Sequence, residues 1–446
     1  MIHANKQLPL PRILTLGFIV IIIVGTILLS LPISTNSGHS TGYLNALFTA
    51  TSATCITGMT VVNTALHWSI FGKIVILILV EVGGLGFMTF AVLLFSFLKR
   101  KVDLTTSLLT QESLSIQSTD KVYRVVQLVI CFSLLIQGLG TALLFIDFGS
   151  RYGFWKGLGY SIFHSISAFC NAGFDLYANS LTKFAGDSYL LLVLSGLIIA
   201  GSLGFLVWED LLLFRQNHHL SLHTKLALVT YLGLIVISFI VYLTTEQNFS
   251  QHTQLSAGQR LIDTFFISVS PRTAGFSIFN YNQFSDAGIL FTIILMFIGG
   301  TPGSTAGGIK TTTVGILLIK VWSILRGKRD STFMGRRFSD DNVNRSLTLG
   351  FLVVITLSIA ALVLLTTETI PKYMGFEYII FDVVSAFGTT GLTLGLTPHL
   401  TIIGKLIFCV LMFMGRVGIF TVMYSILTTN HPDDEFRYPE ENIMIG

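Results

Sequence analysis

Charged residues are scarce in this sequence. Lys, Arg, Asp and Glu make up 11% of its 446 residues, whereas 52% are apolar. Soluble domains carry about a quarter charged residues, so this composition excludes an ordinary soluble protein. We expect most of the chain to lie in lipid.

Residues for disulfides, metal sites and catalysis are also few. The four cysteines, Cys55, Cys131, Cys170 and Cys409, show no CxxC spacing, so neither a disulfide framework nor a zinc site is indicated. No HExxH or GxSxG pattern occurs, which gives no support to an enzyme. The apolar runs hold few acids or histidines, and this argues against a proton-coupled carrier.

Eight apolar segments each approach the roughly 20 residues with which a helix spans a bilayer. The first is longer than a secretory signal core and has no small-residue cleavage pattern, so we expect it to remain as a helix. Together they predict an all-α integral membrane protein with eight transmembrane helices. The segments are residues 13–31, 74–98, 125–146, 189–207, 226–243, 289–322, 347–365 and 402–427.

Basic residues concentrate in the loops after the second, fourth and sixth crossings, which share one side of the membrane. By the positive-inside rule this side is the cytoplasm, and both termini lie there. Because membrane helices separate these charges, we expect no nucleic-acid partner. The residues are Lys99, Arg100, Lys101, Lys121, Arg124, Arg215, Lys225, Arg326, Lys328, Arg329, Arg336, Arg337 and Arg345.

A shorter apolar segment lies within each pair of crossings, at residues 43–53, 155–168, 260–270 and 373–386. Each is too short to span the bilayer and is predicted to be a re-entrant half-helix. Five residues ending in glycine follow each one, and we call them the filter segments. They are Thr54-Cys55-Ile56-Thr57-Gly58, Phe169-Cys170-Asn171-Ala172-Gly173, Pro271-Arg272-Thr273-Ala274-Gly275 and Phe387-Gly388-Thr389-Thr390-Gly391.

The filter segments share one register, because Phe48, Phe163, Phe265 and Phe381 each precede their filter glycine by ten residues. Two crossings per repeat give every repeat the same orientation, which predicts pseudo-fourfold symmetry around one ion pore. The predicted repeats are residues 1–100, 101–217, 218–337 and 338–430, followed by a cytoplasmic tail at 431–446. A glycine pair recurs in each following helix, at Gly83/Gly86, Gly201/Gly204, Gly299/Gly303 and Gly415/Gly418, where small residues let helices pack closely.

The filter segments suit a dehydrated cation. Backbone carbonyls from four converging loops can replace the water shell of the ion. Glycine permits the unusual dihedrals that turn successive carbonyls toward one axis. The partly negative C-terminal end of each half-helix also favours a cation in the cavity. These features predict a pore for a monovalent cation.

A glycine-rich stretch breaks the last helix of the third repeat. Irregular backbone at this depth is tolerated only where protein buries it or where it lines a cavity, so we expect a loop beneath the filter. It nearly matches a phosphate-binding loop, but Ile309 intrudes before the lysine and no strand precedes it. Its residues are Gly299, Gly300, Thr301, Pro302, Gly303, Ser304, Thr305, Ala306, Gly307, Gly308, Ile309, Lys310 and Thr311.

Arg416 lies in an apolar run of the fourth repeat, where insertion of a charge costs about 2.5 to 3.5 kcal/mol. One hypothesis is that Arg416 and the loop at 299–311 jointly obstruct the pore. The alternative is an arginine satisfied by helix-end carbonyls or by Glu81.

Other ionisable residues near the filter are expected to support its structure. Arg272 falls within the third filter segment, and we expect its side chain to turn outward toward Asp263 or Asp286. Glu81 and Asp382 are expected to brace the pore loops. Thr54, Asn171 and Thr389 can contribute side chains to the filter or only support it.

With these repeats, filter segments and broken helix, nearly the whole chain resembles the Trk/Ktr/HKT superfamily of potassium-translocating membrane subunits, and most of all its bacterial Ktr branch. The resemblance implies potassium selectivity, since glycine stands in all four filter positions, Gly58, Gly173, Gly275 and Gly391. It implies an intramembrane gating loop at 299–311 and an electrostatic barrier at Arg416.

The resemblance also implies partners and location. A Ktr-type subunit is a homodimer in the bacterial cell membrane, seated on a cytosolic ring of nucleotide-binding regulatory subunits. ATP or ADP is then expected on the partner only, with K+ as the transported ion and no covalently bound cofactor. Sodium stimulation, and sodium or ammonium as the transported ion, remain alternatives.

Overall fold

The computed structural model describes residues 10–86, 122–246, 256–427 and 441. Lys99, Arg100, Lys101 and Lys121, the repeat boundaries at 100 and 430, and the tail other than Glu441 lie outside the described residues. The predicted boundary at residue 217 coincides with the end of a helix, and that at 337 falls between a strand and a helix.

Four long apolar helices, which we call the outer helices, begin the four repeats. Each has 21 to 31 residues, and these four are the described helices that are long and apolar enough to cross a membrane unbent. They expose rows of large apolar side chains, such as Val20, Leu135, Val236 and Ile359. The outer helices are α1 (Leu10–Ser30), α5 (Val122–Tyr152), α9 (Leu222–Thr245) and α13 (Asp340–Thr367).

Four short helices follow, at the places predicted for the half-helices, and we call them the pore helices. They have 12 to 16 residues, and their C-terminal halves are almost wholly buried. A helix this short cannot cross the bilayer, so each one ends within the protein. The pore helices are α2 (Tyr43–Thr54), α6 (Phe154–Phe169), α10 (Ala257–Val269) and α14 (Glu377–Gly388).

Three of the inner helices, which complete the repeats, stop just before the second glycine of the recurrent pair, and the third-repeat inner helix stops just before its first glycine, Gly299. Gly86, Gly204, Gly303 and Gly418 all have positive φ, between 68° and 96°, which a continuing α-helix does not allow. The inner helices are α4 (Ile70–Leu85), α7 (Ser188–Ser202), α11 (Asp286–Phe297) and α15 (Ile402–Val417).

The segments predicted as crossings at 189–207 and 402–427 are bent in the structure. After Gly204 the chain continues as α8 (Phe205–Asn217) at 94° to α7, and after Gly418 as α16 (Ile419–Leu427) at 104° to α15. In the third repeat, α12 (Thr311–Leu325) resumes after the predicted loop. The described residues contain four spanning helices, or six if each bent pair is one span, and eight crossings stays a prediction.

The remaining elements are short. They are a helical turn α3 (Thr64–His67), strand β1 (Ala178–Leu181), the antiparallel hairpin of β2 (Thr332–Phe333) and β3 (Arg336–Arg337), and 3-10 turns at Pro32–Ser34, Thr182–Phe184, Tyr281–Gln283 and Thr397–His399.

The four repeats close into a ring. Every pore helix packs against an inner helix of the preceding repeat: α6 against α4, α10 against α7, α14 against α11, and α2 against α15. The last contact joins the fourth repeat to the first. The C-terminal ends of the pore helices, and the filter segments that follow them, are thereby directed toward one centre.

Candidate functional site

The four filter glycines form a closed ring at this centre. A Cβ atom built on Gly58 would lie 2.3 Å from the Ala172 oxygen, and the same relation recurs around the ring. Gly173 faces the Ala274 oxygen at 2.8 Å, Gly275 the Thr390 oxygen at 2.0 Å, and Gly391 the Thr57 oxygen at 2.1 Å. The structure thus brings together four positions that the sequence spreads over more than 300 residues.

The backbone of the four filter segments is alike. Each glycine has a φ between 65° and 89°, and the residue two positions before it is also left-handed. These residues, Ile56, Asn171, Thr273 and Thr389, are not glycines and have φ from 51° to 77°. Left-handed φ in a non-glycine residue costs roughly 1 to 3 kcal/mol and persists only where the surroundings enforce it.

The first carbonyl of three filter segments packs away from the ring. A Cβ on Gly83 would lie 1.9 Å from the Thr54 oxygen, and Gly201 and Gly415 face Phe169 and Phe387 in the same way. The Phe169 oxygen also accepts a hydrogen bond from Thr305 Oγ1 at 3.1 Å. These three carbonyls contact the inner helices, and their part in binding an ion stays a prediction.

Buried hydroxyls of the filter segments lack protein partners. Thr54, Thr57, Thr273 and Thr389 each bury an Oγ1 atom that forms no hydrogen bond with any described residue. Asn171 differs, since its Nδ2 donates to Thr305 Oγ1 at 2.8 Å and its Oδ1 accepts from Ser202 Oγ at 3.1 Å. These bonds favour a supporting role for the Asn171 side chain, which joins the filter to Thr305 and Ser202.

Side chains of the pore helices brace the chain that leaves the filter. Asp382 accepts from the backbone nitrogen of Leu394 at 2.9 Å and from two threonine hydroxyls. His164 occupies the equivalent position in the second repeat, and its Nε2 accepts from the Leu176 nitrogen at 3.4 Å. His164 was not predicted from the sequence, although it too stands nine residues before a filter glycine.

Glu81 also braces the filter, as expected. Its carboxylate accepts from Gln137 Nε2 at 2.9 Å and from the thiol of Cys170 in the second filter segment. Glu81 therefore links inner helix α4, outer helix α5 and the filter.

The expected partners of Arg272 were wrong. Its guanidinium, which is 1% exposed, lies 3.9 Å from the centre of the Tyr231 ring and donates from Nη1 to the Tyr231 carbonyl at 3.1 Å. Asp263 instead accepts from the backbone nitrogen of Gly186 at 3.1 Å, and Asp286 is exposed. An aromatic face can attract a buried cation where no carboxylate is in reach.

The glycine-rich loop at 299–311 lies against the filter. Thr305 contacts Phe169 and Asn171 of the second segment, and a Cβ on Gly307 would meet Thr389 Oγ1 of the fourth at 2.2 Å. The Gly308 nitrogen donates to the Gly415 oxygen at 3.1 Å. Lys310 turns back, and its ammonium group donates a hydrogen bond to the Ala306 oxygen of the same loop at 2.6 Å.

Arg416 fastens this loop to the first repeat. Its guanidinium donates to the Thr305 oxygen and to the oxygens of Gly83 and Gly84 at the end of α4, the last at 2.9 Å. Arg416 therefore has helix-end carbonyls as partners, as the alternative predicted, and it also contacts the loop. Among the described residues, Glu81 does not bond to Arg416.

Two cavities lie on opposite sides of the filter. The loop-side cavity, of about 280 Å³, is lined by Pro302, Lys310 and Arg416 among others. The glycine-side cavity, of about 190 Å³, has the four filter glycines in its wall and includes one carboxylate, that of Asp175. Burial raises the pKa of Asp175 to about 7, against the opposing effect of hydrogen bonds from Tyr177 and Ser180.

An all-α, multi-pass membrane protein in which four similar units surround one axis has the architecture of a cation-transport subunit. The sequence model of the TrkH family, described as a cation transport protein, matches residues 13–437. The chain belongs to this family, and it is a transporter rather than an enzyme.

Relatives of known name cover the full length. The chain is 46% identical to the "Potassium/sodium uptake protein NtpJ" of Enterococcus hirae, over 100% of this chain and 99% of that protein. It is 39% identical to the "Ktr system potassium uptake protein B" of Bacillus subtilis, over 98% of this chain and 96% of that protein. The solved structure of the potassium transporter TrkH from Vibrio parahaemolyticus is similar in fold, with a TM-score of 0.71, 18% identity, and coverage of 96% of this chain and 86% of that chain.

Proposed function

We propose that the protein takes up K+ across the bacterial cell membrane through a channel-like pore, and that the ring of filter glycines is the selective part of this pore. The observation that carries this proposal is the ring itself, in which each filter glycine touches the carbonyl of the next segment. The names of the relatives, which are potassium uptake proteins, support K+ as the ion. The buried threonine hydroxyls without protein partners suit the same role, since oxygen atoms must replace the water shell of the ion.

The loop at 299–311 and Arg416 are the proposed gate. Both line the loop-side cavity directly beneath the filter, and Arg416 places a positive charge where K+ would pass. A cation next to a cation pathway raises an electrostatic barrier that falls if the arginine moves away. The direct bonds of Arg416 to the loop mean that both parts would move together.

Rubidium or potassium uptake into liposomes that hold the purified protein is the test of the filter. We expect Gly58→Ser and Gly275→Ser to lose selectivity for K+ over Na+, because the new side chain meets the carbonyl of the adjacent segment. Gly38→Ser is the matched control, since Gly38 has the same left-handed backbone, φ 71°, with nothing within 4 Å. Variants that keep wild-type selectivity contradict the filter assignment.

Sodium is the second candidate ion. The name of the Enterococcus hirae relative includes both potassium and sodium, so Na+ could be transported, or could stimulate K+ uptake. Competition by Na+ and by ammonium in the same liposomes separates these cases. Inhibition of rubidium uptake by equimolar Na+ supports sodium as an ion of the pore, and stimulation supports a separate sodium effect.

Regulation is proposed to come from outside the chain. A homodimer seated on a cytosolic ring of nucleotide-binding subunits agrees with relatives that are named as parts of a Ktr system. The β2–β3 hairpin, α8 and the start of α9 line a shared cavity, through Arg336, Asp210 and Lys225, and we propose that the ring docks at this surface. Uptake by the purified chain alone is then insensitive to ATP and ADP, and its mass in detergent is that of a dimer.

A further inference from the structure

The glycine-side cavity contains one charged side chain among the residues that line it, and this is Asp175. Asp175 lies two positions after Gly173, so it stands next to the ring of filter glycines. The rest of the lining is neutral, with polar groups from Asn63, Ser277 and Thr393. A negative charge at this point faces the entrance of the filter.

The Asp175 carboxylate is held in a fixed position. Its Oδ1 accepts a hydrogen bond from the backbone nitrogen of Tyr177 at 2.8 Å, and it is also hydrogen-bonded to the Ser180 hydroxyl. Ser180 Oγ accepts in turn from the Ser277 nitrogen at 3.2 Å, which ties the group to the third repeat. Loops from two repeats therefore keep the carboxylate at the cavity wall.

No described Lys, Arg or His forms an ion pair with Asp175. The contrast is with Asp187 and Asp147, whose carboxylates both bind Arg151. A half-buried carboxylate without a cationic partner is unfavourable unless a cation approaches it, because the protein has removed part of its water. Such a group raises the local concentration of cations in a narrow cleft.

We propose that Asp175 forms a binding site for a hydrated monovalent cation in the glycine-side cavity, from which ions enter the filter. This inference rests on the proposed function and adds a site outside the filter. Its role is to concentrate K+ at the entrance, so it sets the KM of uptake and leaves the filter to set selectivity.

Concentration-dependent rubidium uptake into liposomes, at external pH 8, is the test. We expect Asp175→Asn to raise KM roughly three- to tenfold at low ionic strength, with little change in Vmax or in the K+/Na+ ratio. Asp286→Asn is the matched control. Asp286 is an exposed acid at the start of α11, on the same side of the filter, and it does not line the cavity.

A second measurement needs no variant and covers the case in which Asp175→Asn does not fold. The KM of the unmodified protein should rise when an impermeant organic salt increases the external ionic strength, since salt screens an exposed charge. An unchanged KM in both measurements overturns the cation site, while uptake itself still supports the pore. If the unmodified protein takes up no rubidium, the proposed function itself is contradicted.

Discussion

At the scale of single residues, the recurrent glycines act by close contact with backbone. A Cβ on Gly201 would lie 1.8 Å from the Phe169 oxygen, and neither group can rotate away, because both belong to main chain. Gly196, on the same helix α7, has nothing within 4 Å. The sequence indicated that such glycines let helices approach, but it did not show that the neighbour is the filter.

We expect Gly201→Ala to destabilise the protein by about 1 to 3 kcal/mol, as overpacking does, and to reduce uptake. Gly196→Ala should leave stability unchanged or raise it by up to about 1 kcal/mol, because alanine favours helix. Thermal unfolding of both purified variants in detergent measures the difference. Equal midpoints would mean that the contact between α7 and the filter is loose.

Arg272 shows what residue identity leaves open. A cation in an apolar setting predicts a partner, and acids are the obvious choice from sequence. The structure supplies the ring and the carbonyl of Tyr231, which stands 41 residues earlier in α9. The choice among partners depends on the packing of α9 against α10, which no local pattern encodes.

At the scale of elements, the loop at 299–311 is joined to the filter by a few identified bonds. The Thr305 hydroxyl contacts both Asn171 and the Phe169 oxygen, while the Thr305 carbonyl accepts from Arg416. The side chain and the backbone of one residue thus hold the loop to the second repeat and to the fourth. Loss of either link should favour a displaced loop.

We expect Thr305→Val and Arg416→Gln to raise basal rubidium uptake in liposomes. A hydrogen bond contributes about 0.5 to 1.5 kcal/mol and the Thr305 hydroxyl makes two, so its loss should shift the closed-to-open balance by roughly fivefold or more. Thr356→Val is the control, because among the described residues that hydroxyl bonds only to the Leu352 oxygen in its own helix α13. Unchanged uptake in both test variants would show that the loop and Arg416 do not form the gate.

The break in the third inner helix was predictable, because glycine and proline crowd one short stretch. The bends at Gly204 and Gly418 were not, since each follows from a single left-handed glycine in an apolar run. An isolated glycine is tolerated in many helices, so its conformation depends on neighbours. Here the Gly303 oxygen accepts from the Phe205 nitrogen and holds the chain at the first bend.

At the scale of the whole molecule, the ring has two distinct faces. The inner helices begin on the side of the glycine-side cavity, and the β2–β3 hairpin lies beyond α12 on the other side. By the positive-inside rule, the charge distribution of the sequence predicts that the hairpin side and both termini lie in the cytoplasm.

We expect a cysteine at position 286 to react with a membrane-impermeant maleimide in intact cells, and a cysteine at 328 to react only after permeabilisation. Asp286 and Lys328 are both exposed and lie on opposite faces, so Asp286→Cys and Lys328→Cys form a matched pair. The unmodified chain controls for the native cysteines. The reverse labelling pattern would place the termini outside the cell.

The sequence by itself determined the all-helical membrane class, the four repeats, the register of the filter glycines and the position of the loop. These depend on local properties, namely the length of apolar runs and the conformational freedom of glycine. Only the tertiary structure decided the contacts of Arg416, which joins residues 333 positions apart. Such contacts arise because the fourth repeat packs against the first, and this closure brings together residues that the chain keeps far apart.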